Sequence, residues 1–292
     1  PEVSGTVNSG DVPACLLGTP VAAGAGDNAA AAVGTGIVED GKAFTTIGTS
    51  GVVFAHTNEP LIDPEGRIHT FCCAVPGKWH VMGVTQAAGL SLKWFKDNFC
   101  EKESEEAKSA NIDVYVKLDK MAKTSPIGAN SLLYLPYLMG ERTPHLDPNA
   151  RGVFFGLSAM HTKADLLRAI MEGVSFSLYD CVNVLKETGA AVSDMTICGG
   201  GGKSPFWSQM LADVYGTQIK TVACAEGPAY GAAILASVAA GAFSSVECAC
   251  NALIRNKKNY LPDETNHRAY QTIYDLYRSL YPNLKSLYQR LQ

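Results

Sequence analysis

The stretch Gly24-Ala25-Gly26-Asp27-Asn28-Ala29-Ala30 holds the side chain best placed for acid–base chemistry. A short apolar run, Pro20 to Ala23, precedes it and an alanine run with Val33 follows, so the pattern reads as a strand entering the core, a glycine turn and an Ala-rich helix. Asp27 is then expected at or near the helix N-cap, where backbone N–H groups and the helix dipole favour the carboxylate over the acid. An ionised Asp in that position can take a proton from a hydroxyl. It can also do nothing more than cap the helix. A dinucleotide fingerprint fits too, as Gly24-x-Gly26-x-x-Ala29, but the acidic residue expected about 20 residues later is missing. Glu39 and Asp40 come too early, and residues 44–49 contain no acid.

Two further glycine bends offer donors without bulk. Lys42 to His56 is a pair of β-branched and aromatic segments flanking Gly48-Thr49-Ser50-Gly51, a hairpin whose turn exposes N–H groups and hydroxyls. A phosphate chain needs such a turn, because close backbone approach replaces its hydration shell; an ordinary hairpin has the same pattern. The second bend, Gly199-Gly200-Gly201-Gly202-Lys203-Ser204-Pro205, follows a short buried strand, Asp194 to Cys198. Gly-Lys-Ser invites comparison with a P-loop, which would require glycine where Ile197 stands. What survives is an open strand-to-helix turn, with Ser204 as N-cap and Pro205 at the first helical position, where a flat base or a phosphate can lie against backbone.

The elements that must position these bends are legible from periodicity. Further strands are expected at Ile68 to Val75, Trp79 to Val84, Ser131 to Met139 and Gln218 to Cys224, and a buried helix at Gln86 to Phe99. The charged run Glu101 to Lys108 reads as a solvated face or a loop. Residues 140–148, GERTPHLDP, read as a loop that is either a site or solvated. The clearest helix runs from Lys163 to about Thr188, with Thr162 and Asp165 in a capping-box arrangement and Gly189 as its stop. Ala229 to Ala240 is an Ala-rich helix small enough to pack close to a sheet or a ligand. From His267 a tyrosine-striped helix continues to the end, with a kink expected at Pro282.

With 292 residues and 47% apolar content the chain can bury one large core or two smaller ones. Net charge −4 leaves no basic field, which argues against nucleic acid or an anionic membrane as a partner. No apolar run approaches a membrane span. Nine cysteines lack C-x-x-C pairs and read as reduced, mostly buried thiols of a cytoplasmic protein, and six scattered histidines indicate no metal site built by the protein. Aromatic surfaces and the C-terminal helix could support a homodimer or cover the core.

Hairpins followed by alternating strand and helix, with glycine turns at strand ends, resemble the nucleotide lobe of the actin, Hsp70 and sugar-kinase superfamily. GVFFGL at 152–157 and DLLRAIME at 165–172 resemble the second signature of the FGGY carbohydrate kinases at its required spacing. GAGDNAA, IGTSG, GGGGKSPFWSQMLAD and EGPAYGAAILA follow in the family's order. The resemblance implies an α/β fold of the ribonuclease H-like ATPase type, a mixed sheet flanked by helices, with residues 1–18 a linker or the edge of a preceding lobe and 19–292 the C-terminal nucleotide-binding lobe. It further implies ATP and Mg2+ and a sugar hydroxyl as acceptor, with VPGKWHVMGVTQAAGLSLKWF and LPYLMGERTPHLDPNARGVFFGL most like the members that make D-xylulose 5-phosphate from D-xylulose. Asp27 would take the hydroxyl proton and Asn28 would touch the sugar. Gly48, Thr49 and Ser50 would hold the transferring phosphates, and Gly199, Gly200, Gly201 and Ser204 would line the adenosine site. Ala25 departs from the glycine many members carry, and Lys203 adds a polar group to the second bend.

The Asp-x-Gly-Thr strand turn that the family's first lobe carries is not found in this sequence. The expectation is a C-terminal lobe that binds nucleotide weakly and does not phosphorylate sugar without its missing N-terminal lobe. Other sugar or polyol kinases of the family, acting on gluconate, ribulose, fuculose or glycerol, are rival readings. A non-catalytic ATP-gated module is another, although a hydroxyl-facing base has no use in a pure switch.

Overall fold

The structure, a computed structural model, describes residues 1–8, 12–224 and 226–291; residues 9–11 of the expected linker lie outside them. At the N-terminus β1 (Val3–Thr6) and β2 (Pro20–Ala22) pair antiparallel as a two-stranded ribbon. Val3 and Val21 are 47% and 45% exposed, so the run at 20–23 does not enter the core as its composition suggests. A ribbon of two short strands has no third layer to bury its apolar side.

After the ribbon come α1 (Asp27–Thr35), β3 (Lys42–Ile47), β4 (Gly51–Thr57), β5 (His69–Cys72) and β6 (Trp79–Thr85). Three helices follow, α2 (Gly89–Phe99), α3 (Glu101–Ser109) and α4 (Val114–Ala122), and then a small pair of strands, β7 (Leu133–Leu135) and β8 (Val153–Phe155). The chain continues through α5 (Lys163–Glu187), β9 (Asp194–Cys198), α6 (Pro205–Tyr215), β10 (Ile219–Val222), α7 (Gly227–Ala239), α8 (Val246–Leu253), β11 (Asn256–Tyr260) and α9 (Glu264–Tyr288).

One seven-stranded mixed sheet organises these elements, in the order β11-β10-β9-β3-β4-β6-β5. β3, β4, β6 and β5 form an antiparallel ladder, while β9 and β10 join the other side of β3 in parallel. Both β3 and β9 therefore end at one edge of the sheet, where the two glycine bends begin. Alternation along β3 sorts side chains between two helical layers. Ala43 and Ile47 belong to the large core under α5 and α6, and Phe44 to the smaller cluster under α1 with Phe54 and Ala32.

α5 is the spine of the large core. Its capping box forms as expected: the Asp165 carboxylate accepts from Thr162 N at 2.8 Å, and donors at Ser125, Asn130 and Thr162 hold its carboxyl down to about 2 despite burial. α9 packs its tyrosines inward, and the buried phenols other than that of Tyr288 find a partner. Tyr274 donates to Asp180 at 2.5 Å and Tyr281 to Asp147 at 2.8 Å, while Tyr270 accepts from Arg168 at 2.7 Å. The helix starts three residues before the expected His267, because Asp263 caps Thr265 N and Asn266 N, and it continues through Pro282.

Three local expectations change. The charged run at 101–108 is helix α3 rather than a loop; its face of Glu101, Lys102, Glu105, Glu106 and Lys108 is solvated as read, whereas Glu103 is 7% exposed and pairs with Lys163 at 2.8 Å. The Ala-rich α7 packs chiefly on α1. A Cβ built on Gly34 would lie 1.9 Å from Gly227 O, and one on Gly231 would lie 1.8 Å from Ala30 O. Only glycine allows those backbones so close. The cysteines are all unpaired, but Cys100, Cys181 and Cys250 alone are fully buried.

Candidate functional site

The hairpin turn forms where expected, with Gly48, Thr49 and Ser50 exposed between β3 and β4. Its carbonyls are tied off from the side. Gly89 N donates to Gly48 O at 2.7 Å, and Ala88 N and Leu90 N donate to Thr49 O at 3.0 and 3.1 Å. The start of α2 thus fixes the bend, and among the described residues the Thr49 and Ser50 hydroxyls hold no hydrogen bond. Those are free donors on a rigid support.

The second bend leaves β9 at Gly199 and turns once through Gly201–Lys203 before α6. A Cβ on Gly201 would lie 2.5 Å from Ile47 Cβ, so the bend lies directly over the end of β3. Ser204 caps α6 as expected, its hydroxyl accepting from Trp207 N at 3.0 Å.

Between the bends and helices α2 and α4 opens a cavity of about 440 Å³. Gly48, Thr49, Gly200, Gly201 and Ser204 lie on its wall, so the structure brings five of the nine expected site residues together. Ser50 and Gly199 are neighbours of wall residues without lining it. Asp27 and Asn28 are not on the wall. Asp27 is the first residue of α1, with Gly26 as N-cap, and its Oδ1 accepts from Asn28 N at 2.8 Å. Asp27 is exposed and Asn28 half-buried. The six-residue connection from Gly36 to Gly41 sets the end of α1 beside the start of β3. α1 lays Ala32 against Phe44 and Phe54, on the face of the sheet opposite the large core.

The cavity also has a wall that sequence reasoning missed. Asp113, Tyr115, Val116 and Asp119 come from α4, and Gly89, Leu90, Leu92 and Lys93 from α2. α4 had a signal, since Asp113 is a capping residue followed by Val114, Leu118 and Ala122 at four-residue spacing. Burial pushes the Asp119 carboxyl up, with the Ser204 hydroxyl beside it opposing the shift. Trp207, 2% exposed, closes the floor with its indole N–H donated to Ser175 at 3.0 Å. An apolar floor, two lysines on the wall (Lys203, and Lys93 paired with Asp97) and two glycine bends suit a planar base with an anionic tail.

Residues 140–148 form a partly buried loop, with Arg142, Leu146 and Pro148 exposed and Pro144 and His145 lining a second cavity of about 160 Å³. Glu141, Thr143 and Asp147 are 3%, 1% and 8% exposed, and each is hydrogen-bonded. Among the described residues no group of three or more His, Cys, Asp or Glu could hold a metal ion, and no helix is long and apolar enough to cross a membrane.

Comparison with known proteins bears on this arrangement. Residues 43–240 match the profile described as FGGY family of carbohydrate kinases, C-terminal domain. A xylulose kinase of Staphylococcus epidermidis is 42% identical over 254 residues, covering 87% of this chain and 49% of that protein. A gluconokinase of Bacillus subtilis is 34% identical over 257 residues, 87% of this chain and 50% of that protein. Among solved structures, the xylulose kinase of Rhodospirillum rubrum superposes with a TM-score of 0.84 at 29% identity, over 99% of this chain and 57% of the other. The chain spans about half the length of the curated relatives it matches.

Proposed function

The chain belongs to the FGGY family of carbohydrate kinases, and from that premise we propose that it is the C-terminal, nucleotide-binding part of an enzyme that phosphorylates D-xylulose to D-xylulose 5-phosphate with ATP. The observation that carries the reading is the joint wall formed by Gly48–Thr49 and Gly200–Ser204 around one cavity. The base and ribose occupy the cavity between α2, α4 and α6, with Gly200, Gly201 and Ser204 against them. The phosphates extend to Thr49 and Ser50, whose hydroxyls are unengaged, and past the neighbouring Gly199. Asp27, the exposed first residue of α1, receives the proton of the attacking sugar hydroxyl, and Asn28 contacts the sugar.

The sparse inventory is chemically sufficient. Phosphoryl transfer passes through a loose transition state that asks mainly for in-line positioning and charge neutralisation. The donor set fits a Mg2+ ion delivered with the nucleotide rather than one held by a protein cage, because Mg2+ is commonly held by phosphate oxygens and one or two carboxylates. What the ion supplies when bound is neutralisation of charge on the phosphates. The chain's own residues hold the nucleotide flat, keep the bend rigid and offer one exposed carboxylate as proton acceptor.

In this reading the sugar is gripped largely by a preceding lobe that joins this one across the sheet edge. The nine unpaired thiols support a reducing, cytoplasmic setting, and the exposed Leu276, Leu287 and Leu291 of the C-terminal stretch offer a surface for a homodimer. A substrate panel on the two-lobed enzyme tests the assignment. D-xylulose is expected to give the highest kcat/KM among xylulose, ribulose, gluconate and glycerol; a clear preference for gluconate would reassign it within the family.

A further inference from the structure

Glu141 is a buried carboxylate without a cation. It takes part in no ion pair among the described residues, yet four donors converge on it. Oε2 accepts from Thr85 Oγ1 at 2.6 Å and, at 3.2 Å, shares the single Ser177 hydroxyl proton with Thr85 Oγ1, which lies 2.8 Å from Ser177 Oγ; Oε1 accepts from Gln86 N at 2.9 Å and Arg142 N at 2.8 Å. Removing a carboxylate from water is expensive, and hydrophobic packing would have filled this space at lower cost. The position of its donors explains what the expense secures.

Thr85 ends β6 opposite Gly51, the residue that follows the Gly48–Ser50 bend. A Cβ on Gly51 would meet Thr85 Cγ2 at 2.7 Å and Ala88 Cβ at 3.1 Å, so the corner formed by residues 85–88 is pressed against the bend. The same corner donates Ala88 N, Gly89 N and Leu90 N to the bend's carbonyls. We infer that Glu141 is a positioning residue for the phosphate-holding bend: it clamps Thr85 and Gln86, and they set the amides that hold Gly48 and Thr49. The other tie between this segment and β6 needs no carboxylate, and the second buried acid, Asp147, faces Tyr281 on α9 instead. Thr143 pairs with β6 through its backbone and hydroxyl alone, with Val84 N donating to Thr143 Oγ1 at 3.1 Å.

The clamp has a built-in pH dependence. Burial pushes the Glu141 carboxyl up to about 7, against the pull of all four donors. The titratable groups that sense its charge are Cys181 on α5, Tyr137 beyond β7 and Tyr277 on α9. Burial raises each of these well above its ordinary range, so all stay neutral between pH 6 and 8. When Glu141 is protonated, one acceptor position is occupied by its own proton and the corner loses a tie. A glutamine keeps one oxygen for the two backbone donors and lets the hydroxyls turn to accept from its amide, whereas an alanine leaves Gln86 N and Arg142 N unpaired.

The inference rests on the nucleotide reading of the cavity. Its test is calorimetric binding of MgATP and of adenosine to this protein, Glu141→Ala and Glu141→Gln, between pH 6 and 8.5. Glu141→Ala is expected to weaken ATP about tenfold (about 1.4 kcal/mol) while adenosine affinity is unchanged, a split that loss of folding alone would not produce. In the wild type the ratio of ATP to adenosine affinity falls from pH 8 to pH 6 more steeply than in Glu141→Gln; the ionisation of ATP itself is common to both. An unchanged ratio in Glu141→Ala overturns the inference. If that variant does not fold, identical pH profiles for wild type and Glu141→Gln overturn it. A wild type that binds neither ligand sinks the nucleotide reading, and the inference falls with it.

Discussion

Gly231→Ala sets two effects of opposite sign against each other. Gly231 lies inside α7, where alanine is intrinsically better by about 1 kcal/mol, so helix propensity alone predicts a more stable protein. The structure predicts the reverse. The added Cβ would lie 1.8 Å from Ala30 O, 2.7 Å from Ala30 C and 2.9 Å from Gly34 N, all backbone atoms of α1. No side chain can rotate away, so the helices must part by roughly 1.5 Å to restore ordinary contact. Parting them loosens the Val33, Ile234, Leu235 and Val246 cluster between α1, α7 and α8. Overpacking of this kind costs about 1–3 kcal/mol and sits at the upper end when both surfaces are backbone. Net of propensity, a loss of about 2 kcal/mol remains, which in a chain of 292 residues lowers Tm by roughly 3 °C. Circular dichroism of urea and thermal unfolding reads it directly. A Gly231→Ala protein as stable as wild type, or more so, would refute the close crossing and with it the placement of the helix that carries Asp27.

Two other outcomes follow from local chemistry. His80 is 3% exposed, stacks on Phe54 at 4.3 Å and has no partner for Nδ1; burial pushes it down to about 4. The unfolded chain, titrating near 6.5, therefore binds a proton that the folded one refuses, so this contribution is intact above pH 6.5 and is lost as pH falls toward 4. Glu141 and Asp180, both raised to about 7, act with the opposite sign over pH 4–7, the folded state there binding more protons than the unfolded. The difference between wild type and His80→Phe isolates the histidine: urea midpoints of the variant should fall less between pH 6.5 and 4, and an equal fall would contradict the assignment. Ser204→Ala removes the cap on Trp207 N and should cost about 1 kcal/mol, or roughly 2 °C in Tm, as scanned by calorimetry.

How far the sequence foretold the structure depended on whether a signal was local. The hairpin around Thr49, the capping box at Thr162 and Asp165, and Ser204 before Pro205 are written in adjacent residues, and each formed as read. The run at 20–23 misled because an apolar strand is buried only if another layer covers it, and that depends on distant chain. The GERTPHLDP segment misled for the same reason. Its polar side chains look solvated until β6, α5 and α9 are placed around them and supply the donors for Glu141 and Asp147. The small residues of α7 announced a close approach, but Gly34 and Gly227 are too far apart in sequence for their meeting to be read from either helix alone. A quarter of the cavity wall, Asp113, Tyr115, Val116 and Asp119, was invisible because α4 was not recognised.

The central claim is that Asp27 serves as proton acceptor for a sugar hydroxyl attacking ATP held by the Thr49 and Gly200 bends. The most direct measurement is D-xylulose-dependent ADP production by the intact two-lobed kinase carrying Asp27→Asn, with MgATP affinity measured on the same protein. The account predicts turnover reduced by at least about a hundredfold with nucleotide affinity within about twofold of wild type. Wild-type turnover in Asp27→Asn would contradict it.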